Sequence, residues 1–187
     1  VKIETLPHGD SKAASALVRL MKEHGAEDHP LLNELRMYAF WSATTWVLYN
    51  ARGVPLSLNS TKIGKRANGK FEPCANWYGA YTLPEHRRKG YATRLYEATL
   101  KPMKEAGNVC TKSLCSSSGG LGLDVSLGHL CWGRVPTGEV FAHTPLPWAA
   151  HEFTELDVPP GAPRNYVMTQ SEIDALIKEG LRYDKTS

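Results

Sequence analysis

Long apolar runs are missing from this 187-residue chain, so no segment reads as a membrane-spanning helix or an uncleaved secretory leader. A surplus of one charge is missing as well. Twenty-two Lys+Arg against nineteen Asp+Glu leave +3, too mild to argue by itself for nucleic acid or an anionic membrane surface. Cysteine is scarce: the four residues are Cys74, Cys110, Cys115 and Cys131, with no C-x2-C pair of the kind that holds structural zinc. The closest pair, Cys110 and Cys115, has odd spacing, which on a strand turns the two side chains to opposite faces. The expectation is buried reduced thiols, no metal, and the cytoplasm as compartment. Glycine (16) and proline (12) are only slightly enriched, which excludes a collagen-like repeat and a disordered chain. What is present is an ordinary globular mixture, 42% hydrophobic and 22% charged, with the length of one domain or one domain plus an appendage.

Along the chain, residues 1–6 have strand composition, and Asp10 or Ser11 caps a helix running to about His24 with Gly25 as its stop. Asp28 and Pro30 open a second helix through Ala39. Short apolar runs at 44–49 and 55–58 flank Asn50-Ala51-Arg52-Gly53, a hairpin signal. Residues 59–73 read as a polar loop carrying Lys62, Lys65, Arg66 and Lys70, followed by a strand over 75–83 with Gly79 marking a bulge or a close backbone approach. A helix is expected over 91–106, with Ala92, Leu95, Thr99 and Met103 on one side and Pro102 kinking or shortening its end. Then come a strand over 109–115, a flexible Ser/Gly loop over 116–122, a short helix over 123–130 and a strand over 138–144. Beyond Pro145 the chain turns proline-rich, and Thr169-Gln170-Ser171-Glu172 has the form of a capping box opening a last short helix. The order predicts an α+β architecture, a mixed sheet packed by helices.

The densest positive charge is Arg87-Arg88-Lys89, placed before Gly90-Tyr91-Ala92 at the start of a predicted helix. A strand feeding a glycine turn into a helix N-terminus leaves unpaired N–H groups at the positive end of the helix dipole, a setting that binds anions. Lys89 precedes the glycine, so this is no P-loop, and the motif follows the fourth strand, so it is no dinucleotide fingerprint.

The stretch Pro84-Glu85-His86-Arg87-Arg88-Lys89-Gly90-Tyr91-Ala92 resembles the central [Q/R]-x-x-G-x-[G/A] motif of the Gcn5-related N-acetyltransferases, the GNAT superfamily. Arg87, Gly90 and Ala92 stand in its defined slots, and the element order over residues 1–145 is similar to that superfamily's layout. The resemblance implies a GNAT-like N-acyltransferase fold over 1–145, with 146–187 a proline-rich C-terminal extension. It implies acetyl-CoA as co-substrate and transfer of the acetyl group to a primary amine by direct attack in a ternary complex. The backbone amides of Arg88, Lys89, Gly90, Tyr91, Ala92 and Thr93 would hold the pyrophosphate, with Arg87 in the Q/R slot as a further cofactor-binding residue. The thioester would lie beside Tyr81, Thr82 and Leu83, where a main-chain N–H near Thr82 or Leu83 stabilises the oxyanion.

Two departures from the family pattern stand out. Thr82 occupies a slot that is usually aliphatic, and the family's thiolate-protonating tyrosine, four residues before a glycine in the last helix, is replaced. Aligning Gly133 with that glycine puts His129 in the tyrosine slot as general acid, a job imidazole suits near neutral pH; a buried histidine without a role is the other reading. Glu72, near the strand entrance, and Tyr81 are the candidate bases, while Glu85 and His86 face solvent or the phosphates; a bound water chain would need neither. Trp46 and Trp77 read as core, and Trp41 and Trp148 as walls of a substrate groove. The implied partners are acetyl-CoA and an amine on a small molecule, a protein lysine or an N-terminus. A homodimer is compatible, nucleic acid and membrane are not expected, and a catalytically weak GNAT-like module that modulates a partner protein is the alternative function.

Overall fold

The computed structural model describes residues 1–6, 19, 22–23, 43–64, 74–149, 167–181 and 184. The helices expected over 10–24 and 28–39 fall outside these residues except at 19, 22 and 23, and Trp41, Lys65, Arg66, Lys70 and Glu72 fall outside them entirely.

Among the described residues, seven strands form one sheet: β1 (Lys2–Leu6), β2 (Thr44–Tyr49), β3 (Pro55–Lys62), β4 (Cys74–Thr82), β5 (Cys110–Cys115), β6 (Leu130–Arg134) and β7 (Val140–Pro145). Their order is β1-β2-β3-β4-β5-β7-β6. Every pair is antiparallel except β4 and β5, which run parallel. A parallel pair needs a crossover, and helix α1 (Tyr91–Glu105) supplies it. The hairpin between β2 and β3 turns at the expected place: the Asn50 side chain accepts from the backbone of Arg52 and Val54, and Gly53 takes the left-handed conformation.

Helix α1 lays Leu95 into a cluster with Val47, Leu48, Leu56, Leu58, Tyr81 and Leu83 of the first half of the sheet. The predicted face holds, since Leu95, Thr99 and Met103 are buried. Pro102 does not shorten the helix, which runs on through it to Glu105. The expected loop over 59–73 is shorter than predicted, because β3 continues to Lys62 and buries Asn59, Ser60 and Thr61.

The Ser/Gly segment is the larger correction. Residues 118–126 form helix α2, not a flexible loop. The Ser117 side chain caps it by accepting from the Gly120 amide at 3.1 Å, and Leu121 is fully buried. The strand β6 that follows was not expected, and it leaves His129 in the turn before β6 instead of inside a helix. The last helix, α3 (Gln170–Glu179), opens on the predicted capping box between Thr169 and Glu172. Its Ile173, with Leu181, joins Cys115, Leu121, Cys131, Val140 and Ala142 in a second core. The Met168 amide donates to the Cys131 carbonyl at 2.8 Å, which anchors the segment to β6. The C-terminal extension therefore completes the core over the second half of the sheet.

The cysteines also differ from expectation. Cys74 and Cys110 face each other across β4 and β5 and are disulfide-bonded, while Cys115 and Cys131 are free and buried.

Candidate active site

Strands β4 and β5 are paired from Cys74↔Cys110 to Trp77↔Ser113 and no further. Past that point β4 stays with β3 as far as Thr82, and β5 stays with β7 as far as Cys115. The strands part, and a gap opens between their C-terminal halves. The register between β3 and β4 shifts between Ser60 and Thr61, which leaves Tyr78 as the extra residue. The bulge thus falls one residue before the expected Gly79. It matters because it resets which backbone groups of β4 look toward β5.

The outcome can be read from one hydrogen bond. The Leu83 amide donates to the Leu56 carbonyl at 3.0 Å, so it is engaged with β3 and cannot serve as an oxyanion donor. Backbone groups alternate sides along a strand, so the N–H groups of Thr82 and Ala80 point to the opposite edge, into the gap. Ala80 is the position that sequence reasoning missed. Only the pairing register reveals it. The Thr82 carbonyl on that edge accepts from Arg87 Nε at 3.2 Å, and the Arg87 guanidinium lies over the Tyr81 ring at 6.0 Å.

Beyond β4 a short 3-10 turn (Pro84–His86) delivers the chain to the basic triplet. Arg88 and Gly90 both adopt left-handed backbone conformations, with φ of 59° and 73°, a turn geometry that makes successive N–H groups converge. Gly90 is the N-cap of α1 and no side chain caps it. The first intrahelical bond runs from the Arg94 amide to the Gly90 carbonyl at 3.0 Å, which leaves the amides of Tyr91, Ala92 and Thr93 ahead of it. The first turn carries no acidic residue, and Arg87, Arg88 and Lys89 are exposed beside it. Lys89 Nζ rests 3.3 Å from His86 Nδ1, on the side of the turn away from the core. The structure thus gathers the motif residues into one electropositive cradle at the mouth of the gap.

The expected catalytic side chains are distributed differently. Tyr81 is buried in the α1 core cluster, where burial pushes its phenol up despite the opposing charge of Arg87. A phenol so placed stays protonated at neutral pH and is unsuited to accept a proton from an amine. Gly133, the glycine that aligned His129 with the tyrosine slot, lies in β6. Helix α2 is closed instead by Gly128 at φ 82°, and the residue four before it is Asp124.

Asp124 and His129 nevertheless meet. His129 Nδ1 donates to Asp124 Oδ1 at 2.9 Å, which leaves Nε2 to accept from Thr111 Oγ1 at 3.1 Å, with the Tyr96 hydroxyl also near it at 3.4 Å. Asp124 Oδ2 accepts from Ser113 Oγ at 2.6 Å and from the Cys115 thiol. Trp77 sets its ring edge to face with His129, at 5.6 Å between centroids. This polar cluster lies where β4 and β5 part, since Ser113 and Trp77 are their last paired residues. Burial is the largest influence on the Cys115 thiol, and the Asp124 carboxylate adds to it; both push it well up, and Cys131 is raised to about 11 for the same reasons. Neither cysteine is a thiolate at neutral pH.

Trp148 is not a groove wall. Its Nε1 donates to the Asn108 carbonyl at 2.8 Å, and its ring packs by Leu146 under Lys104. Trp46 and Trp77 are core residues, as expected.

The arrangement is similar to several solved structures. Gcn5 of Tetrahymena matches with a TM-score of 0.58 at 11% identity, over 83% of this chain and 99% of its own. An aminoglycoside 6'-N-acetyltransferase complexed with coenzyme A matches with a TM-score of 0.58 at 9% identity, over 78% of this chain and 97% of its own. Naa20 of Chaetomium thermophilum in complex with a bisubstrate analogue matches with a TM-score of 0.55 at 16% identity, over 78% of this chain and 87% of its own. At such identities the likeness is one of fold. Among curated proteins, none matches the chain in sequence. The family model of the acetyltransferase (GNAT) family matches residues 15–118, a span that includes the parted strands, the basic cradle and α1. With more than half of its length in that match, the chain belongs to the acetyltransferase (GNAT) family and is an acetyltransferase of the acetyl-CoA-dependent kind.

Proposed function

We propose that this protein transfers the acetyl group of acetyl-CoA to a primary amine by direct attack in a ternary complex. The observation that carries the proposal is the conjunction of the gap, into which the Ala80 and Thr82 amides point, with the uncapped N-terminus of α1 at its mouth. The cradle of Arg88, Lys89, Gly90, Tyr91, Ala92 and Thr93 would hold the pyrophosphate through backbone amides and long-range charge, while the Arg87 amide donates to the Pro84 carbonyl and Arg87 adds only the charge of its side chain. The pantetheine would extend between β4 and β5, adding a strand-like neighbour to the unpaired edge of β4. The Ala80 or Thr82 N–H would then polarise the thioester carbonyl and stabilise the tetrahedral oxyanion.

Acetyl transfer needs one proton taken from the amine and one given to the departing thiolate. The Asp124–His129 pair beside the parting point is the acid–base system that this reading assigns. Asp124 holds His129 in the Nδ1–H tautomer, so Nε2 exchanges protons with the hydroxyls of Tyr96 and Thr111. Glu72 lies outside the described residues, so Nε2 is the base this reading assigns: it would take the amine's proton through the Tyr96 or Thr111 hydroxyl, with the Asp124 carboxylate stabilising the imidazolium, and return it by the same route to the departing thiolate.

Calorimetry with acetyl-CoA, followed by a thiol-release assay over a panel of amines, tests the proposal. Gly90→Glu should abolish binding, because it sets a carboxylate at the helix N-terminus and forces a side chain into a left-handed position. Undiminished affinity in Gly90→Glu would place the phosphates elsewhere, and binding without turnover on any amine would overturn the transferase reading.

A further inference from the structure

On the sheet, three adjacent strands bring three soft donors together: Cys74 of β4, Cys110 of β5 and His143 of β7. Cys74 stands opposite Cys110 in register, and His143 lies two positions along β7 from the partner of Cys110. Their ligand atoms all lie within 4.8 Å of one another. All three residues are buried, at 0%, 0% and 1% exposure. We propose that, once the disulfide is reduced, Cys74, Cys110 and His143 form a binding site for one soft divalent cation of the zinc class.

The geometry has a specific match. Zinc holds thiolate sulfur at about 2.3 Å and imidazole nitrogen at about 2.0–2.1 Å, so a tetrahedral site sets sulfur and nitrogen about 3.6 Å apart. Cys74 Sγ and His143 Nε2 are 3.6 Å apart. The two sulfurs, bonded in the structure, need to separate to about 3.8 Å, within reach of a χ1 adjustment of either cysteine. Charge also favours the assignment. Two thiolates, a neutral imidazole and a divalent cation sum to zero, so this complex escapes the penalty that a lone buried ion incurs. Three protein donors leave a fourth position for water or an exogenous ligand, the arrangement of an open zinc site.

The chemistry balances in two steps. A dithiol reductant opens the Cys74–Cys110 bond by exchange: its own two sulfurs end as a disulfide and the protein keeps two thiols. Cation binding then displaces the two thiol protons to solvent. The same residues therefore cross-link β4 to β5 in either state, by a disulfide or through a metal, three residues before the strands part.

Cobalt(II) is the probe. Full-length protein is reduced with dithiothreitol, desalted without air and titrated with Co(II). One equivalent should bind, with a thiolate charge-transfer band in the near ultraviolet and ligand-field bands in the visible, and Zn(II) should displace it. The oxidised protein should give no bands. Cys74→Ser, Cys110→Ser and His143→Gln should each weaken Co(II) binding by about tenfold or more, whereas the Cys115→Ser/Cys131→Ser double variant should bind as the parent does. If the cysteine variants lose their far-ultraviolet circular dichroism, His143→Gln decides the matter, since it leaves the disulfide in place for folding. The proposal is overturned if reduced protein shows no stoichiometric band, if Cys74→Ser or His143→Gln binds Co(II) as tightly as the parent, or if the band disappears in the double variant.

Discussion

Asp124 shows how much chemistry one buried side chain can organise. Its carboxylate accepts from His129, Ser113 and Cys115, and in doing so it fixes a histidine tautomer and suppresses a thiol. The pH dependence of stability follows at this scale. Cys115, Cys131, Tyr81 and Tyr96 are all acids whose folded pKa is raised, chiefly by burial. The unfolded chain ionises these groups first. Their protonated forms therefore lend stability that is fully present below the unfolded thiol value near 9 and is lost as pH rises toward the folded values, about 11 for Cys131. Urea midpoints measured from pH 8 to 10.5 should fall steadily, and Cys131→Ala should flatten part of that fall. A midpoint independent of pH across this range would contradict the burial of these groups. The position of Asp124 was not legible in the sequence: choosing between Gly128 and Gly133 as the glycine that closes the helix requires knowing where α2 ends.

Among the elements, α3 carries the clearest packing consequence. Ile173 and Leu181 close a core whose other members come from β5, α2, β6 and β7. Asp184 reinforces the contact: its carboxylate accepts from the Ser118 amide at 2.8 Å, the Ser118 hydroxyl and the Leu181 amide at 2.8 Å. Partial burial works against its charge, but those hydrogen bonds outweigh it and hold the carboxyl below its usual range. Ile173→Ala should cost about 2–4 kcal/mol, the range for truncating a buried aliphatic side chain, and denaturant unfolding measures it. A cost under about 0.5 kcal/mol would mean that α3 is not part of the cooperative unit. The capping box was readable from Thr169 and Glu172 alone, because capping is local. The target of α3 was not, because Leu121 and Val140 lie dozens of residues away. Helix α2 starts at Ser118 and not at the expected Leu123 for a related reason. Glycine-rich composition argues for a loop, and here the Ser117 cap and the burial of Leu121 override it.

At the scale of the whole molecule, the +3 net charge averages over a surface on which three exposed cations stand together at one helix end. If acetyl-CoA binds there, its affinity should fall as ionic strength rises, because exposed charges are screened within about 8–10 Å at physiological salt. Thermal unfolding with CoA at one fixed concentration, about 100 times its low-salt Kd, should show about 2.7 kcal/mol of added stability at low salt, and less at 0.5 M salt. Equal shifts at both salt concentrations would count against the cradle. The sequence by itself determined the strand–turn–helix around Arg87, Gly90 and Ala92, the β2–β3 hairpin and the face of α1. Each of these rests on neighbours along the chain and on side-chain periodicity. Tertiary structure alone decided where β4 leaves β5, and hence that Ala80 and Thr82, not Leu83, present amides to the gap. It also decided that Cys74 meets Cys110 and His143, and that Asp124 meets His129. Register and crossover join residues that no local spacing connects, and the chemistry of this fold lies at those junctions.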